Sequence, residues 1–394
     1  MEEAKEQTVK SKLYAALILL ITSILVIPPT PAQATDGLPN SPMFGYGARL
    51  DLGGDSIFPA IDLAEGMGLD WIAVDFNWAV QWQDPSQPIN LTLLSQVAQY
   101  AGSKNINLLI SLINAPAWVI TPNGPDPSVT SALVQSLVAL DPDHIQAVEL
   151  FPGINTILGW GNVPNPSAYL LLLQSVRQSL DAQGRSTYIV TTLAPVNPGD
   201  TSGDVDDRLY LQYLYDGGAS THLPILGLHF PLTMGDPMTA PSAQNPFVLR
   251  HYEEIRSIML ANNHQSGILW ISGFSWPTIG EANPNNPLDF PQTPEFQAQW
   301  LGQALQLLQA QLYIGAAFIE QLNPSSSGAP YLLTADGSAH PACQQVSELA
   351  QEVLTPTQSP VPTPEINYVN QSSQAQVPAE RKVAPNLDSK LHSQ

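Results

Sequence analysis

The feature that most limits how this chain can fold is an alternation, repeated eight times between Phe44 and Leu354, of short apolar runs with longer segments of helical period. The apolar runs are Phe44–Leu50, Trp71–Asn77, Ile106–Ile113, Gln146–Phe151, Thr187–Ala194, Ile225–Phe230, Gly267–Gly273 and Tyr313–Ile319. Runs of this length fit strands buried on both faces, and helical patterns fill the gaps between them. The clearest is Pro166–Gln183, where Asn165 can cap, Pro166 suits the first helical position, and Tyr169, Leu173, Val176 and Leu180 fall on one stripe. Thr293-Pro294 opens another, with Phe296, Trp300, Leu301, Leu305 and Leu308 on or near its inner face. Strict alternation implies a parallel sheet, and eight units over about 310 residues give an α/β fold, a single-domain (β/α)8 barrel, rather than an open Rossmann sheet. The open sheet would also need its glycine fingerprint, and GYGARL at Gly45 has no third glycine.

The flanks of this region read differently. Lys10 and Lys12 precede an apolar run from Leu13 to Ile27, followed by Pro28-Pro29 and the small-residue site Ala32-Gln33-Ala34. The run is shorter than the roughly 20 residues that span a bilayer, so residues 1–34 read as a leader cleaved after Ala34. The alternative is an uncleaved anchor that tethers the same domain to the outer face of the membrane. Residues 35–354 then form the barrel. Residues 355–394 (TPTQSPVPTPEINYVNQSSQAQVP and beyond) lack apolar periodicity and read as a disordered Pro-, Ser- and Gln-rich tail. The expected location is extracellular. Cys343 is the only cysteine, so no internal disulfide forms; it lies in a helical pattern and is expected to pack there. Only 12% of residues are charged and the net charge is −21, which sets the chain against phosphate backbones and anionic lipid and favours neutral partners over nucleic acid.

In a (β/α)8 barrel the loops after the strands converge on one mouth, so functional side chains belong at the C-terminal strand ends. That rule selects Arg49 and Asp51, then Asp75, Asn77 and Trp78, then Asn114 and Trp118, then Asn155 and Trp160. Later strands contribute His229, Trp276, Glu281, Glu320 and Asn323. Each indole alone reads as a packing residue under a loop, but four at one rim favour a binding surface, with Asn and His as its hydrogen-bonding groups. Asn77, Trp78, Asn114, Trp118, Asn155, Trp160, His229 and Trp276 are therefore the expected binding residues, with Trp160 and Trp276 lining one cavity. The histidines show neither an HExxH motif nor a close pair for zinc, and no G-x-S-x-G marks a serine nucleophile, so neither metal nor cofactor is expected.

Two stretches carry a resemblance. Gln146–Trp160, QAVELFPGINTILGW, is similar to the strand of retaining glycoside hydrolases that ends in Trp-Asn-Glu-Pro-Asn, and Gly267–Thr278, GILWISGFSWPT, to the strand that delivers their nucleophile. Leu69–Trp78, Leu112–Trp118, Asp207–Pro231 and Tyr331–Pro341 resemble further segments of the same clan in the same order, nearest in pattern to the xylosidase and iduronidase type. The resemblance covers nearly the whole barrel and implies the (β/α)8 fold, with a carbohydrate as the ligand of the expected binding residues. It also implies an acid/base Glu at the position of Gly153 and a nucleophile Glu at Gly273; the Arg that binds the nucleophile falls on Ala73, and the Asn before the acid on Pro152. Retaining hydrolysis needs two carboxyls about 5–5.5 Å apart, and glycine supplies neither.

Other carboxylates could stand in: Glu149, which strand alternation points either into the barrel or out to the helices, and Glu320 and Asp75 at the mouth. Asp204, Asp206 and Asp207 precede a helix, where capping is the simpler role. Three functions stay open: a secreted pseudoenzyme that binds carbohydrate without cleaving it, a working glycoside hydrolase with relocated carboxylates, and a structural or protein-interaction barrel.

Overall fold

The computed structural model describes residues 44–351 except 198, 231–232, 243, 277–292, 325–331, 335–336 and the side chain of Thr221. The segments read from sequence as leader and tail, with Glu281 and Pro277-Thr278, lie outside the described residues.

Eight parallel strands close into a barrel in which each pairs with its sequence neighbours and the last returns to the first. They are β1 Gly45–Asp51, β2 Trp71–Asn77, β3 Asn107–Ile113, β4 Ile145–Leu150, β5 Tyr188–Leu193, β6 Ile225–His229, β7 Ile268–Phe274 and β8 Ile314–Ile319. The expected strands hold to within one or two residues. An antiparallel ribbon of Ile120–Thr121 with Gly124–Pro125 was not foreseen, its strands being too short for a periodic signal.

Side chains alternate along each strand, so the barrel has two apolar layers. The inward set includes Trp71, Ala73, Leu109, Ala147, Trp270 and Phe318. Trp71 and Trp270 meet edge to face at 5.1 Å and Trp270 lies 5.7 Å from Phe318, so three large rings among small neighbours fill the interior. The outward set packs under eight helices: α1 Ile57–Met67, α2 Thr92–Ser103, α3 Pro127–Val138, α4 Pro166–Ala182, α5 Asp207–Asp216, α6 Tyr252–Ala261, α7 Pro294–Gln309 and α8 Ala342–Gln351.

Helix starts follow local chemistry. Asp126, Asn165 and Thr293 each cap a helix whose first residue is proline, accepting from backbone N–H groups of the first turn. Tyr169, Leu173, Val176 and Leu180 of α4 are buried as their spacing requires. Asp206 caps α5 through Arg208 N and Leu209 N, in keeping with the capping role. Cys343 is buried in α8.

Candidate functional site

Above the apolar plug the barrel interior turns polar. Two residues beyond Ala147 on the same face of β4 stands Glu149, fully buried and turned into the barrel. In register beside it is Ser111 of β3, and beside that Asp75 of β2. Ser111 Oγ donates to Glu149 Oε2 at 2.6 Å and Thr192 Oγ1 of β5 to Glu149 Oε1 at 2.6 Å. Gly227 of β6 leaves the room for this: a Cβ there would lie 2.1 Å from Thr192 Oγ1.

Arg49 of β1 crosses this layer. Its Nη1 donates to Glu149 Oε2 at 3.3 Å and to the Ser272 carbonyl at 2.6 Å, and its Nη2 donates to Asp75 Oδ1. Burial works against the guanidinium, but Asp75, Glu149 and Glu320 outweigh it and hold it protonated. Burial alone would raise Glu149, yet Arg49 above all, with His229 and the two hydroxyls, keeps it below the usual carboxylate range. Glu149 is thus an ionised, sealed anchor with no proton to give and no access to the mouth. Asp75 is the opposite case: burial, with the charge of Glu320 adding and Arg49 opposing, pushes it up to about 6. Arg49 supplies a guanidinium from β1 where the resemblance had expected one from β2; Ala73 lies lower, in the apolar plug. A lone Arg inside the strand GYGARLD was the signal for it.

At the opposite side of the mouth, Glu320 follows β8 directly and its Oε2 lies 3.1 Å from His229 Nε2 at the end of β6. Burial pushes Glu320 up, but His229 and Arg49 outweigh it and hold the carboxyl below its ordinary range. Between them runs β7, where Gly273 is paired in register with His229. A Cβ on Gly273 would lie 2.9 Å from His229 Nε2 and 3.2 Å from Glu320 Oε2, so the side of the strand that faces the mouth is already filled by that pair.

The end of β4 is rebuilt as well. Phe151 takes a left-handed φ of 61° and Gly153 one of 76°, and the N–H groups of Gly153 and Ile154 both point at the Thr192 carbonyl, at 3.1 and 3.2 Å. Phe151 is thereby turned into the core, 6.4 Å from Trp78 and 6.1 Å from Trp160. Gly153 lines a cavity of about 470 Å³ over β3–β6, together with Asn114, Asn197, Asp200, Asp204 and His229, and with Leu158, Val196 and Phe247 as its apolar wall.

Several expected binding residues do not reach this cavity. Trp78, Trp160 and Trp276 are fully buried; Trp160 Nε1 donates to the Asn123 carbonyl at 3.2 Å and Trp276 Nε1 to that of Gly235 at 2.8 Å. Trp160 and Trp276 therefore do not line a common cavity. Each indole tucks under the loop that follows the preceding strand, where a large ring buries more area than it could at an open rim. Asn155 is buried too, accepting from Ala194 N and donating to the Ala194 and Val205 carbonyls, all at 2.8 Å, and so clamps two loops. Asn77 caps the short helix Trp78–Gln81. Trp118 is half-buried, its ring 4.9 Å from Trp82, and both face a separate apolar groove of about 410 Å³ beside α3. Asn114 and His229 are the two expected binding residues that line the mouth cavity. Asn197, Asp200 and Phe247 join them from loops whose course has no local sequence signal.

With this geometry in hand, comparison with solved structures is informative about the fold. A family 39 glycoside hydrolase from the gut symbiont Bacteroides cellulosilyticus WH2 superposes with a TM-score of 0.54 at 17% identity, over 80% of this chain and 64% of that one. A beta-glycosidase gives 0.55 at 9% identity, over 82% and 99%. A GH5_18 protein from Streptomyces cattleya in complex with Manb1-4GlcNAc gives 0.55 at 14% identity, over 81% and 83%. These likenesses show the fold, a closed (β/α)8 barrel like those of the glycoside hydrolases compared. No family model and no curated protein matches the chain by sequence. The chain spans 64% of the length of the family 39 hydrolase.

Proposed function

We propose that this chain is a secreted barrel that binds carbohydrate at its mouth without cleaving it. The observation that carries the reading is the pair of glycines where the hydrolase pattern has its two glutamates. Neither is a simple vacancy: Gly153 sits at a φ of 76°, which side-chain-bearing residues rarely adopt, and Gly273 faces the His229–Glu320 pair at 2.9–3.2 Å. Glu149 does not replace the missing acid, because it is sealed and held by Arg49, Ser111 and Thr192. Glycoside cleavage asks for well over about 8 kcal/mol of barrier reduction, which binding alone does not supply. The glycoside hydrolase fold, a mouth cavity of about 470 Å³ and sparse charge support a glycan as ligand. In this reading the leader of residues 1–34 exports the chain.

One observation favours a second reading. Asp75 is pushed up to about 6 while Glu320 is held below its ordinary range, and an acid and a base with diverging pKa values are what proton-transfer catalysis uses. A panel of aryl glycosides separates the two. The binding reading expects no turnover above background together with hits on a glycan array. Turnover abolished by Asp75→Asn or Glu320→Gln establishes the relocated hydrolase instead, and an array without hits removes the carbohydrate reading.

A further inference from the structure

We propose that Gly273 builds a sugar-recognition element: with no side chain at the end of β7, the Glu320 carboxylate reaches across to His229, and the two together receive the hydroxyls of a neutral glycan. The inference rests on the carbohydrate-binding reading above. A Cβ at Gly273 would stand 2.9 Å from His229 and 3.2 Å from Glu320, inside ordinary contact distance, so a side chain there would push the pair out of its present geometry. The resulting couple is close, at 3.1 Å, yet open to the mouth, with 23% of the Glu320 side chain and 17% of that of His229 exposed. His229 also lines the mouth cavity.

The pair is incomplete in one respect. His229 Nδ1 is shielded from solvent and has no hydrogen-bond partner among the described residues. Because that nitrogen is out of reach of the mouth, a sugar hydroxyl donates instead to the partly exposed Glu320 carboxylate and packs beside the exposed edge of the His229 ring. A carboxylate or sulfate could do neither without meeting like charge. Asp75, Glu149 and Glu320 surround one cation, Arg49, which is already engaged by Asp75, Glu149 and the Ser272 carbonyl, and Asp200 and Asp204 stand at the cavity wall. The field at the mouth therefore excludes uronic and sulfated sugars and leaves neutral ones.

The test is calorimetric titration of the full chain with neutral pentasaccharides of glucose, xylose and mannose, and with tetragalacturonate. The unsubstituted chain should bind a neutral sugar and not the uronate. Glu320→Gln, equal in size, should weaken that binding about tenfold or more, the effect of losing a hydrogen bond to a charged group. Gly273→Ala should weaken it similarly by displacing the pair, and the double variant should bind no worse than Glu320→Gln alone, because both changes break one unit. Thermal melts report folding in parallel; if Gly273→Ala fails to fold, Glu320→Gln decides. Neutral-sugar binding that Glu320→Gln leaves intact, with only the melt lowered, overturns the inference and spares the carbohydrate reading. Preferred binding of tetragalacturonate overturns the neutral class. Absence of binding to any sugar by the unsubstituted chain overturns both readings.

Discussion

The barrel mouth makes a quantitative prediction about Asp75→Asn. In the folded chain burial pushes the Asp75 carboxyl from 3.8 up to about 6 despite its contact with Arg49. The folded state thus holds this proton more tightly than the unfolded chain does, and stability from this group is greatest at low pH and falls as pH rises from 3.8 through 6. At about 1.4 kcal/mol per pKa unit the loss across that window is about 3 kcal/mol. Asparagine mimics the protonated acid in size and does not titrate. Relative to the parent, the variant should therefore gain about 3 kcal/mol of stability between pH 3.5 and 7.5, or about 6 °C in Tm for a domain of this size. Urea or thermal unfolding of both proteins across that range reads the difference, since titrating groups remote from Asp75 contribute equally to both. Parallel profiles would show that Asp75 is not raised. A variant that instead loses ground as pH rises would show that Arg49, rather than burial, controls the carboxyl, and would refute the argument.

Three further outcomes follow from the same structure. Arg49→Met should destabilise the barrel by about 3–5 kcal/mol in denaturant titration, because it strands Asp75 and Glu149 inside the mouth without their cation. Trp160→Ala or Trp276→Ala should cost about 3–5 kcal/mol of stability while leaving glycan affinity unchanged in the folded fraction, since both rings are core residues. His251 is buried 2.6 Å from Asp207 and 3.2 Å from Glu254; burial alone would depress the imidazole, but the two carboxylates push it up to about 9. Its contribution is complete below pH 6.5 and disappears as pH rises through 9, so the parent should lose about 3 kcal/mol across that window and His251→Gln should not.

The barrel itself was legible in the linear order of residues. Apolar strands separated by capped helices leave few ways to bury both faces of a sheet, and Asn165-Pro166 and Thr293-Pro294 mark helix starts through contacts that span only three residues. The positions of Gly153 and Gly273 at the ends of β4 and β7 were equally local, because Gly153 closely follows β4 and Gly273 is the penultimate residue of β7. What those ends do was decided by closure of the barrel. Trp160 and Trp276 read as rim aromatics, yet they turn inward because the chain leaves each strand at an angle that only the neighbouring loop sets. Phe151, with its left-handed backbone, is one such departure. Glu149 could have faced either side of β4; its partners Arg49, Ser111 and Thr192 come from three other strands and lie 38 to 100 residues away. The pairing of Glu320 with His229 across Gly273 likewise joins three strands, separated by 91 residues between the two side chains. Periodicity is a property of neighbours in sequence, whereas the charge and shape of the mouth are set by neighbours in space, and those meet only when the eighth strand pairs with the first.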